Sequence, residues 1–356
     1  MAGEQEENKI IQKLTAIINR LLLVISVLVF ALILLPIMFW YQQDKATGKN
    51  DMATGTTAKD TVTYWIAPDV DTITNPRLKA QVSYGKELIA HTAKYLGPKG
   101  SVLQISNGMN CQNCHLQAGT TIFGNNYGSV ASLYPKFRAR SGTVENIYKR
   151  VNDCIERSLN GKALDTLGKE MQAMVAYIGF IGSNVAKGKK ATGSGFKDLA
   201  WLNRKADPVK GLAVYTAKCQ SCHQANGAGA FTPDQTEYIY PALWGDHSFN
   251  DGAGLYRISN FAKYVKYNMP QGTTFQAPQL TDEEAWDVAA FVVSQKRPHI
   301  NVPKDWPDIS GKPVDHPFGP YADPFAETQH KYGPFKPILD EQKKKAELAK
   351  KTIVKN

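Results

Sequence analysis

The sequence predicts a mainly α-helical chain in which two small domains of similar design follow one apolar N-terminal helix. Three observations predict this architecture. The pattern Cys-x-x-Cys-His occurs twice, at residues 111–115 and 219–223. Apolar residues recur at helical spacing around both copies, and residues 21–40 form a run without a charge. With 356 residues and an apolar fraction of 43%, the chain can form two packed cores as well as extensions.

The apolar run Leu21–Trp40 is long enough to cross a membrane. As a helix it would span about 30 Å, which is the thickness of a bilayer core. A cleaved signal peptide is the alternative, but the run is longer than a usual signal core and no small-x-small cleavage site follows it. We therefore expect an uncleaved transmembrane helix, preceded by a cytoplasmic segment (1–20) and followed by a flexible tether (41–61).

The two Cys-x-x-Cys-His motifs are typical of covalent haem c attachment. In such a motif two thiols add to the vinyl groups of one porphyrin, and the adjacent histidine binds the iron. A redox dithiol or half of a zinc site is the alternative for one copy, but a second copy in a similar context argues against it. The sequence therefore predicts two covalently bound haem c groups. The attachment residues are Cys111, Cys114, Cys219 and Cys222, and the iron ligands are His115 and His223.

The second domain, residues 207–297, has the order of elements found in small class I cytochromes c. A helix leads into the second attachment motif, and a loop rich in Gly, Asn and Pro follows. Met269 then precedes a proline, and an amphipathic helix spans residues 282–294. We expect Met269 to be the second ligand of this haem iron. A linker, residues 189–206, separates this domain from the first one, which we place at residues 62–188.

An internal repeat predicts the second iron ligand of the first haem. When the terminal helices of the domains are aligned at Glu170 and Glu284, Met269 lies fifteen residues before Glu284. The same count back from Glu170 reaches the position next to Cys154, the cysteine that the attachment motifs leave over. We therefore predict that Cys154 binds the first haem iron. The alternatives are a ligand role for Met171 or Met174, which have core spacing in the helix, and a buried free thiol.

Cationic residues surround this cysteine in the sequence. A thiolate that can leave a metal is a nucleophile. Guanidinium groups match oxyanions in two-point contacts, so the arginines that flank Cys154 in the sequence predict a site for an anionic substrate. These are Arg138, Arg140, Arg150 and Arg157.

At these residues the sequence resembles the dihaem thiosulfate dehydrogenases, which interconvert thiosulfate and tetrathionate. The resemblance covers residues 62–337. Its most specific parts are CQNCHLQAGT, FRARSGTVENIYKRVNDCIERSLNGKAL, PALWGDHSFNDGAG, NMPQGTTF and LTDEEAWDVAAFV. One departure is that some members have a lysine before the axial methionine and can exchange the two ligands, whereas this chain has Asn268. The N-terminal anchor is a second departure from the soluble members.

The resemblance implies an oxidoreductase that couples two thiosulfate ions to tetrathionate, or performs the reverse reaction, with Cys154 as the catalytic sulfur. It implies that the first haem is ligated by His115 and Cys154 and the second by His223 and Met269. It also implies substrate contacts, made by Arg140, Arg150 and Ser158. Electrons would leave through the second haem to another cytochrome or to a membrane oxidase or quinol system.

Two other classes of function are considered. A membrane-tethered dihaem carrier would deliver electrons to a terminal oxidase without substrate chemistry, and a dihaem peroxidase would need an open iron position. Neither requires a thiolate among arginines.

The location of the chain follows from its cofactors. Haem c is attached outside the cytoplasmic membrane in bacteria, so we expect a single-pass protein of that membrane with its haem domains on the periplasmic side. The formal charge of +10 suits anionic substrates or acidic partners, and no motif indicates nucleic acid. We expect residues 298–356 to wrap around the domains and to end in a lysine-rich tail.

Overall fold

The computed structural model describes residues 20–23, 25, 28 and 32 and, continuously, residues 62–353. Residues from Thr63 onward form one compact unit. Its helices are α1 Pro76–Ala90, α2 Thr92–Leu96, α3 Leu116–Gly119, α4 Val130–Leu133, α5 Ile147–Arg157, α6 Lys169–Ile181, α7 Pro208–Lys218, α8 Gln220–His223, α9 Ile258–Asn268, α10 Asp282–Ser294, α11 Glu327–Tyr332 and α12 Lys336–Ile353. Its strands are β1 Lys136–Arg138, β2 Thr143–Glu145, β3 Ala230–Phe231 and β4 Tyr238–Tyr240. The predicted mainly helical class is confirmed.

The first domain is organised around the crossing of α1 and α6. Asn75 caps α1 by accepting a hydrogen bond from the backbone N–H of Leu78, and Pro76 occupies the first turn. At the crossing, the carbonyl of Ala173 lies so close to Gly85 that no side chain fits between the helices. The apolar faces of both helices are buried, and α5 adds Ile155 to the same core. Helices α1 and α2 are separated at His91, where φ of −125° and ψ of 44° interrupt the helical backbone.

The second domain repeats this arrangement with α7 and α10. Asp207 caps α7, and Thr281 and Glu284 form a reciprocal capping box at the start of α10. Gly211 meets the backbone carbonyl of Asp287 at the crossing, as Gly85 meets that of Ala173 in the first domain. The buried indole of Trp286 donates a hydrogen bond to the carbonyl of Ala200. The two domains therefore share one packing scheme, in which a glycine allows two helix backbones to approach closely.

Two short antiparallel hairpins complete the domains. The β1–β2 hairpin pairs Lys136 with Glu145 and leads directly into α5. The β3–β4 hairpin belongs to the second domain but packs on the core of the first, where Tyr238 is buried. The domains are therefore joined by apolar packing within one compact unit.

The C-terminal extension is an ordered strap that packs on this unit. Asp315 is buried and accepts hydrogen bonds from the guanidinium of Arg257 and from the backbone and hydroxyl of Ser259 at the start of α9. His330 is buried and stacks on Tyr321 at a centroid distance of 3.6 Å. These contacts fix the strap to the second domain.

The predicted single-pass membrane localisation needs correction. Crossing a bilayer takes about 20 predominantly apolar residues in one helix. Among the residues that the structure describes, no helix combines that length with that apolar character. In this part of the chain the longest helix is α12, with 18 residues, and it is rich in lysine. Most of the predicted span Leu21–Trp40 lies outside the described residues. Single-pass anchoring is therefore not supported.

Candidate functional site

The first attachment motif faces a cavity between α5, α6 and the loop after residue 119. The empty volume of the cavity is about 890 Å³, including space open to solvent. This size lies in the range of cofactor pockets. The side chains of Cys111, Cys114 and His115 line its wall. The Nδ1 atom of His115 lies 2.6 Å from the carbonyl oxygen of Asn125, so Nδ1–H donates to this carbonyl and Nε2 remains for a metal.

The protonation of these residues suits a covalently attached porphyrin. Burial raises the pKa of Cys111 to about 11 and that of Cys114 to about 12, so the pocket favours neutral sulfur, as in a thioether. Burial also lowers the pKa of His115 to about 4, which keeps the imidazole neutral and able to bind a metal. The residues present therefore fit a haem c.

Two candidate sulfur ligands line the same cavity. Cys154 reaches it from α5, and Met174 reaches it from α6. Met171, the other alternative, is fully buried in the helix core and is not part of the cavity wall. Ser158 caps the C-terminal end of α5, where its backbone N–H donates to the carbonyl of Cys154 at 2.8 Å, and it also lines the cavity.

Arg150 is the cationic residue of this cavity wall. It lies one helical turn before Cys154 on α5, so both side chains are on the same face. Arg150 is half-buried, and its electrostatic interaction with Cys154 is the largest cause that raises the pKa of Arg150 above its ordinary value. A guanidinium therefore stands beside the sulfur, where it can bind an oxyanion.

Arg140 lies elsewhere. It lines a neighbouring cavity, formed by the loop after β1 and the C-terminal strap, and not the cavity of Cys154. Its Nε lies 3.1 Å from a carboxylate oxygen of Asp305 in the strap. The pKa of Arg140 is lowered to about 10, with burial as the largest cause. The positive charges of Arg157 and Arg150 contribute to this lowering, so the three guanidiniums interact electrostatically. The structure thus brings Arg150 and Ser158 to Cys154 and places Arg140 in an adjacent site.

The second attachment motif has the same local design as the first. The Nδ1 atom of His223 lies 2.9 Å from the carbonyl of Pro241, and burial lowers the pKa of His223. Burial raises the pKa of Cys219 to about 11. Met269 directly follows α9 and packs against the core of this domain together with Cys219. These residues fit a second haem c with a neutral imidazole ligand.

Several contacts at the site were not predicted from the sequence. Asp305 binds Arg157 through two hydrogen bonds, of 2.8 and 3.0 Å. The hydroxyl of Tyr264 on α9 donates to the carbonyl of Asn113, within the first attachment motif, at 2.7 Å. Asn268 is buried and donates to the carbonyl of Phe123, in the loop of the first domain, at 3.3 Å. The only signal for these contacts was the density of aromatic and polar residues in the segments that provide them.

Comparisons with known proteins match both domains. Residues 103–186 match the family described as SoxA/TsdA, cytochrome c domain, and residues 208–296 match the family described as cytochrome c. Over 243 residues the chain is 38% identical to a thiosulfate dehydrogenase of Psychrobacter arcticus, a match that covers 68% of this chain and 71% of that protein. A thiosulfate dehydrogenase of Allochromatium vinosum is 37% identical over 223 residues, which is 61% of this chain and 81% of that protein.

A solved structure is similar as well. The thiosulfate dehydrogenase TsdBA of Marichromatium purpuratum superposes with a TM-score of 0.61 at 28% sequence identity. The match covers 66% of this chain and half of that solved chain. The likeness therefore extends over the two domains described above.

Proposed function

The chain belongs to the thiosulfate dehydrogenase family and is an oxidoreductase with two cytochrome c domains and two covalent haem c groups; from this premise we propose that it couples thiosulfate to tetrathionate at Cys154. The observation that carries the proposal is the juxtaposition of Cys154 and Arg150 in the cavity of the first attachment motif. A simple electron carrier has no need for a free cysteine beside an arginine in that cavity.

The proposed iron ligands are His115 and Cys154 for the first haem and His223 and Met269 for the second. Cys154 is preferred over Met174, although both line the cavity, because Cys154 lies one helical turn from Arg150 on α5 and next to the position that the repeat alignment matches to Met269. Met174 belongs to the helix face that packs against α1, where it is fully buried. The function of Met174 in this proposal is to fill the cavity wall.

In the forward direction Arg150 and the hydroxyl of Ser158 hold the sulfonate end of a thiosulfate, so that its outer sulfur meets Cys154. A sulfur–sulfur bond forms between them with the loss of two electrons, which the two haems, when bound, accept one each. A second thiosulfate attacks the outer sulfur of this adduct, tetrathionate leaves, and the Cys154 thiolate is restored. No proton is needed. The reverse reaction uses the same residues.

A positive charge on the cavity wall, here that of Arg150, is required because both reactants are dianions. Two thiosulfate dianions must come within bonding distance, and like charges at about 4 Å repel by roughly 1 kcal/mol per pair of unit charges even in water. A guanidinium in a cavity of low polarity offsets this repulsion at the reacting atoms. The electrons would then pass to an external redox partner, and we propose a further cytochrome for this role.

The test compares variants of the purified dihaem protein. Wild-type protein is expected to show haem reduction by thiosulfate and formation of tetrathionate. Cys154→Met should keep a low-spin haem, because a thioether can bind iron, but should lose sulfur coupling, because a thioether cannot form the adduct. Met174→Leu is the matched control and should keep both the spectrum and the turnover. Turnover by Cys154→Met at the wild-type rate would favour the carrier function instead.

A further inference from the structure

We infer that Asp305, in the C-terminal strap, is a positioning residue for thiosulfate binding, because it holds Arg140 and Arg157 in place beside the cavity of Cys154. This inference rests on the proposed function. It assigns a role to a carboxylate that lies far from the cysteine in sequence.

The contacts of Asp305 are those of a structural counter-charge. Its two carboxylate oxygens accept one hydrogen bond each from the Nη atoms of Arg157, and one of them lies 3.1 Å from Nε of Arg140. The side chain of Asp305 is only 13% exposed, and those of its two partners are 19% exposed or less. This two-point pairing fixes the orientation of Arg157 as well as its place. Arg140 meets the same carboxylate through an ion pair at Nε, without hydrogen-bond geometry.

Trp306, the residue after Asp305, holds Arg140 from a second side. The backbone N–H of Trp306 donates to the carbonyl of Arg140 at 2.6 Å, and the guanidinium of Arg140 lies over the indole at 5.7 Å from the ring centroid. Trp306 adopts φ of 60°, a conformation that is rare for a bulky residue. Strain of this kind persists only where the surrounding contacts enforce it, so the strap is fixed at this point.

These contacts leave the terminal nitrogens of Arg140 available. Within the part of the chain that the structure describes, no acceptor binds its Nη atoms, whereas both Nη atoms of Arg157 are used by Asp305. Arg157 follows Cys154 by three residues on α5, so the strap is joined to the helix that carries the cysteine. Asp305 therefore holds the guanidiniums of Arg140 and Arg157 together against their mutual repulsion. It also orients the terminal nitrogens of Arg140.

Removing Asp305 has two opposing effects on an incoming dianion. One negative charge is lost, but its repulsion on a dianion falls with distance and is screened by water. In this inference a terminal nitrogen of Arg140 binds the thiosulfate from the adjacent cavity; the orientation of this nitrogen is also lost, and one well-formed charged hydrogen bond contributes roughly ten- to hundredfold to binding. The second effect is larger, so thiosulfate binding should weaken.

The experiment measures kcat and KM for thiosulfate in the full dihaem protein, with the visible spectrum and thermal unfolding recorded for each variant. Asp305→Asn is expected to raise KM about tenfold, in line with one lost charged hydrogen bond, and to change kcat less than about twofold. Asp308→Asn is the matched control. It removes the same charge from the same segment, but Asp308 is exposed, and among the described residues its carboxylate binds Ser310 alone.

Arg140→Gln separates positioning from a general effect on the fold. If Asp305 acts through Arg140, Asp305→Asn should raise KM by less than about twofold in the Arg140→Gln background. Should Asp305→Asn not fold, Asp305→Glu decides, because it keeps the charge and displaces the carboxylate. Its KM should rise severalfold.

Three results would overturn the inference. One is a KM of Asp305→Asn that matches that of Asp308→Asn, the second is an undiminished effect of Asp305→Asn in the Arg140→Gln background, and the third is an unchanged KM in Asp305→Glu. A wild-type protein that does not oxidise thiosulfate would overturn the proposed function instead.

Discussion

Replacing Gly85 by alanine should destabilise the first domain, because this glycine lies where two helix backbones meet. A Cβ atom at Gly85 would lie 2.0 Å from the carbonyl oxygen of Ala173, 2.6 Å from its carbonyl carbon and 2.8 Å from Cβ of Tyr177. None of these atoms belongs to the flexible end of a side chain. The clash can therefore be relieved only by moving α1 and α6 apart.

The structure gives the size of this movement. Ordinary van der Waals contact begins near 3.4 Å, so the oxygen contact alone is short by 3.4 − 2.0 = 1.4 Å. Overpacking a core typically costs about 1–3 kcal/mol of unfolding free energy. The higher helix propensity of alanine returns about 1 kcal/mol of this. Because the required movement is large, we expect a net loss of about 2 kcal/mol, at the upper end of this balance.

A second glycine provides the control. Gly179 lies in α6, the partner helix of the same crossing, but a Cβ atom there has no neighbour within 4 Å. Gly179→Ala should therefore raise the free energy of unfolding by about 0.5–1 kcal/mol. Chemical unfolding of both holoprotein variants, followed by far-UV circular dichroism, measures the difference. If Gly85→Ala proves as stable as Gly179→Ala, the close approach of α1 and α6 is wrong.

Three further predictions concern other side chains. Arg150→Ala should leave the haem spectrum intact and lower kcat/KM for thiosulfate in steady-state assays. The decrease should correspond to a loss of about 1.5–3 kcal/mol of transition-state stabilisation. Burial lowers the pKa of His316 to about 4. The free energy of unfolding should therefore be constant above about pH 6.5 and fall by up to about 3 kcal/mol towards pH 4, because the unfolded state takes up the proton first. The variant His316→Gln, which can keep the hydrogen bond to Trp306, should lack this loss when its unfolding is measured across the same pH range. Tyr264→Phe removes the hydrogen bond to the carbonyl of Asn113 and should lower the free energy of unfolding by about 1 kcal/mol, measured by thermal unfolding.

Local patterns in the sequence predicted much of the fold. Periodicity predicted α10 at its observed bounds, and the repeat alignment identified α6 as the matching terminal helix; both helices bury one apolar face. The repeat alignment also led to Cys154, which lies on the wall of the first cavity, and its role as an iron ligand stays a prediction. Such features are accessible from the sequence because each depends on residues that are near one another in the chain or equivalent in the two domains.

Distant contacts could not be predicted in this way. Arg140 was expected beside Cys154 because the two are close in sequence, yet the β1–β2 hairpin and the strap give it a separate position. Its partner Asp305 also binds Arg157, which lies 148 residues earlier in the chain. No local pattern encodes such a pairing, because its energy depends on burial that only the folded chain creates.

Helix α9 connects the chemistry of the two domains. Its residue Tyr264 binds the backbone of the first attachment motif, and five residues later the chain reaches Met269, the proposed ligand of the second haem. The helical part of this interval, Tyr264 to Asn268, measures about 6 Å at 1.5 Å per residue. At its end the amide of Asn268 donates to the carbonyl of Phe123. Both side chains therefore hold the first domain against the helix that leads to Met269.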